Sequence, residues 1–99
     1  MKIEVEKEVI RALTKKSVKC DLIEFRVQYP DVKGVIMPDV LHTDWAPCYI
    51  PFYLIYGARG SVAGHEMGKI FGQVAREIGM TGVKEDRFGK KNAITRYFF

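Results

Sequence analysis

Five side chains in this sequence could hold a metal ion or act as a nucleophile: Cys20, His42, Asp44, Cys48 and His65. A zinc site needs four converging ligands, commonly including a close pair such as C-x-x-C, and the sequence has no such pair. His65-Glu66 also lacks the second histidine of the H-E-x-x-H motif. A cysteine nucleophile needs a positioned base, which no local pattern supplies. We therefore expect no metal, no cofactor and no catalytic residue.

The segment GARGSVAGHEMGKIFG, residues 57–72, follows an apolar stretch and has a glycine at 57 and at every fourth position from 60 to 72. A loop that enters a helix, here with Arg59, can bind an anion because the first helical N–H groups are free. The spacing matches neither G-x-G-x-x-G nor G-x-x-x-x-G-K-[ST]. It is similar to the pyrophosphate loop of acyl-CoA N-acetyltransferases, although the second glycine of that pattern falls at Val62. A nucleotide or CoA site in the Gly57–Gly64 loop, in a small enzyme or a binder, is one alternative.

A helix is predicted from Ser61, a suitable N-cap, to Ile78, before Gly79. Its predicted core face contains Ala63, Met67, Ile70, Phe71, Val74 and Ile78. Beside this face lies what we call the glycine shelf: Gly64, Gly68 and Gly72, with Ala75. His65, Lys69 and Arg76 border the shelf.

Each glycine inside a helix costs about 1 kcal/mol relative to alanine, so the shelf needs a compensating contact. One interpretation is close packing against another element of the same domain. The other is that the shelf binds a partner, or a second copy of the chain to form a homodimer through helix 62–79. The sequence leaves both open.

Two further segments combine aromatic and polar residues. In HTDWAPCY, Trp45 follows His42 and Asp44, and its ring would either cover the core or anchor a partner, since tryptophan is enriched in interface hot spots. The segment RFGKKNAITRYFF combines four cations with four aromatic residues: Arg87, Lys90, Lys91 and Arg96 with Phe88, Tyr97, Phe98 and Phe99. Cations and rings together are what single-stranded nucleic acid requires, but a final strand that completes the core explains the same pattern.

Hydrophobic periodicity predicts the elements in the coarse order helix, two or three strands, long helix, strand. The predicted helices cover residues 6–16 and 61–78, and the predicted strands cover 21–29, 32–37, 47–57 and 93–99, with residues 2–5 an optional first strand. This order favours one α+β domain, residues 1–99, in which an antiparallel sheet of about four strands carries two helices on one face. With the first strand the order is ferredoxin-like. Without it the α-β-β-β-α-β order is similar to the double-stranded RNA-binding domain, whose lysine-rich helix entry is absent here.

Length, composition and charge limit the kinds of protein that this sequence can encode. The chain has 99 residues, 47% of them hydrophobic, and a net charge of +4, which is enough for one domain. It has no recognisable leader and no apolar stretch of membrane-spanning length, so we expect a cytoplasmic protein, of the producing or host cell, with reduced cysteines.

The sequence thus predicts a non-catalytic adaptor or inhibitor that docks on a protein or a protein–nucleic-acid assembly, of the kind that viruses and mobile elements encode. A DNA- or RNA-binding protein that uses the basic and aromatic C-terminal stretch is the main alternative. The salt dependence of binding to oligonucleotides distinguishes these two functions.

Overall fold

A computed structural model describes residues 2–41 and 61–99 of the chain, with side chains from residues 7 and 64 onward. The elements are α1 (Lys2–Gln28), β1 (Gly34–Val35), α2 (Met37–Leu41), α3 (Ser61–Glu77), β2 (Thr81–Arg87) and β3 (Lys90–Phe98). The α+β class is therefore confirmed. Within these two ranges, no helix is both long enough and apolar enough to cross a membrane.

Helix α1 replaces two predicted strands. Residues 2–5 and almost all of 21–29 are helical, so the strand predictions there are wrong. One side of the helix packs on the core through Thr14, Val18, Leu22 and Phe25, which are four, four and three residues apart. The alternating residues that suggested a strand are largely outside the core, and Val27 is 75% exposed. The local pattern of residues 21–29 fits the period of a helix as well as that of a strand, and burial against a neighbouring helix decided between them.

The apolar residues in the first half of α1 are divided between the core and the surface. Val9 and Leu13 are about half exposed. Ile10 and the buried Thr14 lie on the packed side instead.

Helix α3 agrees with its prediction. Met67, Ile70, Phe71 and Val74 are buried, and Ile78 packs at the edge of the core. Gly79 has a φ of 90°, which allows its N–H to bond the carbonyl of Arg76 and the N–H of Met80 to bond that of Ala75. These two hydrogen bonds form a Schellman cap, and they end the helix where the glycine indicated.

The described residues form a three-stranded antiparallel sheet with the order β1-β3-β2. The expected four strands are not confirmed, and the predicted strand 47–57 lies outside the described residues. Neither the ferredoxin-like order nor the α-β-β-β-α-β order is confirmed. Strand β2 was not predicted, because its residues are of mixed charge and almost all exposed. Arg96 on β3 donates hydrogen bonds to both carboxylate oxygens of Glu85 on β2, at 2.7 and 3.3 Å, and this contact lowers the pKa of Glu85.

The core lies between the two long helices and the sheet. Helix α1 contributes Val18 and Leu22, while α3 contributes its buried face and Ala75, which the sequence had assigned to the glycine shelf. The ring of Phe71 contacts the ring of Tyr97 on β3, with centroids 5.6 Å apart, and so joins helix to sheet. A Leu or Phe buried at such a site typically contributes about 1.5–3 kcal/mol.

Two ion pairs connect α1 to α3 at the surface. Arg11 donates a 2.8 Å hydrogen bond to Glu66, and Lys15 pairs with Glu77. The hydrogen bond from Arg11 is the main reason that the pKa of Glu66 lies below its usual value, and Lys69 adds to the effect. Glu66 thus contacts Arg11 on α1 and, at 3.4 Å, Lys69 on its own helix.

Candidate functional site

The three glycines of the shelf line a groove that α3, the start of α2 and the β2–β3 hairpin form together. The groove has a volume of about 540 Å³. It is bordered by all six of the residues of α3 that the sequence singled out as binding residues: Gly64, His65, Gly68, Lys69, Gly72 and Arg76. The opposite wall is formed by Lys84 of β2 and by Asn92 to Thr95 and Tyr97 of β3. We call this site the basic groove.

The basic groove continues past Arg76 and Lys84 into a second depression of about 430 Å³. Arg76, Lys84, Thr95 and Tyr97 line both spaces. Lys84 reaches this position because it is the register partner of Thr95, so both side chains share one face of the hairpin. The result is a long, open channel rather than a closed pocket for a small molecule.

The charged side chains among the described residues that line this channel are all basic. Arg76, Lys84 and Lys69 line it, and no described lining residue of either space is acidic. Lys69 lies 3.4 Å from Glu66 and is partly neutralised. Arg76 and Lys84 form no ion pair with any residue in the described ranges. Two unpaired cations that face each other across a groove favour an anionic occupant.

The shelf glycines differ in their surroundings. A methyl group added at Gly64 or Gly68 would meet no described atom within 4 Å, whereas one at Gly72 would lie 2.7 Å from the Tyr97 hydroxyl oxygen. The interpretation as internal packing is therefore supported at Gly72. At Gly64 and Gly68 no described side chain covers the main chain of α3 on the groove side, which is the arrangement that lets another chain approach closely.

Among the described residues, no aromatic ring offers a stacking surface inside the basic groove. Phe71 is 1% exposed and Tyr97 is 7% exposed, so neither face of either ring is available to a nucleic-acid base. Tyr97 belongs to the core, as the second interpretation of the C-terminal stretch predicted. Its hydroxyl makes no hydrogen bond to the described residues, and it can serve as a polar contact at the groove floor.

Three other predicted binding residues lie elsewhere on the structure. Arg87, Lys90 and Lys91 are exposed at the end of the β2–β3 hairpin. The remaining four, His42, Asp44, Trp45 and Arg59, lie outside the described residues, as do Cys48 and most of the Gly57–Gly64 loop. Those predictions are untested.

No group of three or more metal-ligating side chains occurs within residues 2–41 and 61–99. Cys20 is exposed on α1, and His65 is exposed beside the groove.

Sequence reasoning missed Lys84 and Tyr97 as groove residues. The helical wheel shows only what α3 itself presents, and the facing wall depends on strand pairing. The alternating residues of β3 predicted a strand, but no local pattern in the sequence indicated which segment pairs with that strand.

Comparisons of the chain with protein-family models, curated proteins and solved structures found no match.

Proposed function

We propose that the protein is a non-catalytic binding protein whose basic groove takes an extended, acidic segment of a protein partner. The observation that carries this proposal is that, among the described residues, glycine main chain left uncovered on one wall lies beside cations without an ion pair on both walls. Carboxylates of the partner would accept hydrogen bonds from Arg76 and Lys84, which are exposed, and an ion pair at an exposed position is worth about 0.2–1 kcal/mol. Because Gly64 and Gly68 have no side chains, the partner's main chain could approach α3 closely at these positions.

Two features favour a protein segment over single-stranded nucleic acid in this groove. Its described rings are buried, so bases have nothing to stack on, and stacking supplies much of the affinity in single-strand binding. Its polar wall, Asn92 and Thr95, offers hydrogen-bonding groups for a peptide backbone.

A second copy of the chain is a weaker candidate for the occupant. In a two-fold dimer the same surface meets itself, so Arg76 and Lys84 of each copy would approach those of the other. Like charges brought together in this way oppose association.

The test is a titration followed by NMR of the ¹⁵N-labelled full chain. The probe is a ten-residue peptide of alternating aspartate and serine, with an oligo(dT) strand and inorganic phosphate as competing probes. We expect the peptide to shift the amide signals of Gly68, Lys69 and Thr95. The double variant R76Q/K84Q should weaken this binding about tenfold, which corresponds to 1.4 kcal/mol.

The matched control is K16Q/K19Q, which removes the same charge from the exposed surface of α1. It should bind the peptide almost as the wild type does. The variant G68L should lose binding while its spectrum remains that of a folded domain, because its side chain projects into the open groove.

Three results would overturn the proposal. One is equal peptide affinity for R76Q/K84Q and wild type. Another is that the oligonucleotide or phosphate, and not the peptide, shifts the groove signals. A third is dimerisation of the free chain, measured by light scattering, that G68L abolishes, since the groove would then belong to a second copy.

A further inference from the structure

The turn that joins β2 to β3 carries one aromatic residue in an unusual position. Arg87 pairs with Lys90, so Phe88 and Gly89 are the two central residues of the turn, and both have positive φ, 52° and 74°. Two central residues with positive φ define a type I′ turn, for which Asn-Gly is the preferred sequence. Phenylalanine is unfavourable there because its Cβ crowds the backbone in the left-handed region.

The same residue is also the most exposed of the large hydrophobic side chains in the described ranges, at 95%. Phe88 therefore combines a strained backbone with a ring that gains nothing from the core. Neither property helps the isolated domain, and strain that the fold tolerates is found preferentially at functional positions.

The surroundings of the ring are basic. Arg87, Lys90 and Lys91 flank it, and none of them forms an ion pair with a described residue. The nearby carboxylate of Asp86 accepts a 2.9 Å hydrogen bond from the backbone N–H of Asn92, which also has a positive φ, 54°. This contact fixes the irregularity in the ladder behind the turn and holds the turn at the end of an ordered hairpin. We call residues 87–91 the hairpin tip.

We propose that the hairpin tip is a second binding site, separate from the basic groove, and that it binds single-stranded nucleic acid. The ring of Phe88 stacks on a base, and the three flanking cations contact the adjacent phosphates. An exposed ring between cations matches the chemistry of a nucleotide strand, which alternates flat bases with negative charges.

A single-stranded segment fits the tip better than an intact duplex. Insertion into a duplex requires two stacked base pairs to separate at a cost of about a few kcal/mol, which duplex-binding proteins recover by wrapping the bent DNA over a larger surface than a two-residue turn offers. In a single strand the base is already accessible. Lipid headgroups share the negative charge, so anionic vesicles form a separate arm of the test.

The experiment measures the fluorescence anisotropy of a labelled 12-nucleotide oligo(dT) strand with the full-length protein at several salt concentrations. The main variant is F88N, which removes the ring and creates the preferred Asn-Gly turn, so its hairpin should remain folded. We expect F88N to weaken binding at least fivefold, while F88W, which keeps a stacking ring, should bind within twofold of the wild type or tighter.

The cations are tested with K90Q/K91Q, and K16Q/K19Q on α1 is the control with the same charge change. If both lysines contact phosphates, the slope of log K against log salt should become shallower by about 1.4, because each contact with a single strand contributes about 0.7. The control should change the slope by less than half of that. R76Q in the basic groove should leave the effect of F88N unchanged, which separates this site from the proposed function.

Three outcomes would refute a nucleic-acid site at the tip: F88N that binds the oligonucleotide as tightly as wild type, wild type that shows no binding at millimolar protein, or wild type that binds vesicles containing phosphatidylserine and not the oligonucleotide.

Discussion

Substituting glycines on α3 by alanine separates the open part of the shelf from the packed part. At Gly68 a methyl group meets no described atom within 4 Å, so only the change in helix propensity remains. This change favours alanine by about 1 kcal/mol. G68A should therefore stabilise the domain by roughly this amount, raising the thermal midpoint by about 4–8 °C for a chain of this size.

The same substitution at Gly72 should have the opposite result. Its methyl group would lie 2.7 Å from the Tyr97 hydroxyl oxygen, and the Tyr97 ring cannot move freely because it is buried against Phe71. Overpacking costs about 1–3 kcal/mol, and the propensity gain offsets about 1 of these. We expect G72A to range from neutral to about 2 kcal/mol destabilising.

The assay is urea denaturation followed by circular dichroism, analysed as a double-mutant cycle with Y97F. Removing the hydroxyl removes the clashing atom, so G72A in the Y97F background should become stabilising, as G68A is. The reasoning fails if G68A destabilises the domain, since another part of the chain would then pack on that position. It also fails if Y97F leaves the effect of G72A unchanged.

Two further predictions concern the helices. Because the pKa of Glu66 is lowered in the folded state, mainly by Arg11, its contribution to stability is present above its ordinary pKa of 4.5 and is lost as the pH falls below that value. The variant E66Q should therefore lose less stability than the wild type between pH 6 and pH 3 in thermal melts, and an identical pH dependence would show that the ion pair with Arg11 does not form. In α1, L22A should cost about 2–5 kcal/mol because Leu22 is fully buried, whereas V27S at an exposed position should change stability by less than about 0.5 kcal/mol. If V27S were the more destabilising variant in urea denaturation, residues 21–29 would face the core as the strand pattern indicated.

Local patterns in the sequence were sufficient to predict helix α3 and most of strand β3. Helical spacing from Met67 to Val74 and a glycine at 79 determine a helix through short-range contacts and a cap, which need no distant partner. The alternation in the last residues likewise predicted a strand, and Tyr97 takes its expected place in the core. The six groove residues of α3 were also predictable, because a spacing of four residues places them along one side of a helix.

Only the tertiary structure decided the rest. Residues 21–27 fit both a strand and a helix, and packing of Val18 and Leu22 against α3 selected the helix. Strand β2 has too little apolar alternation to be recognised, and it exists because β3 supplies its hydrogen-bonding partner. The same register pairs Lys84 with Thr95 and so brings Lys84 into the lining of the groove, which Arg76 of α3 also lines. A charge becomes part of a site when two segments distant in sequence meet, and that contact depends on burial and pairing that no local pattern contains.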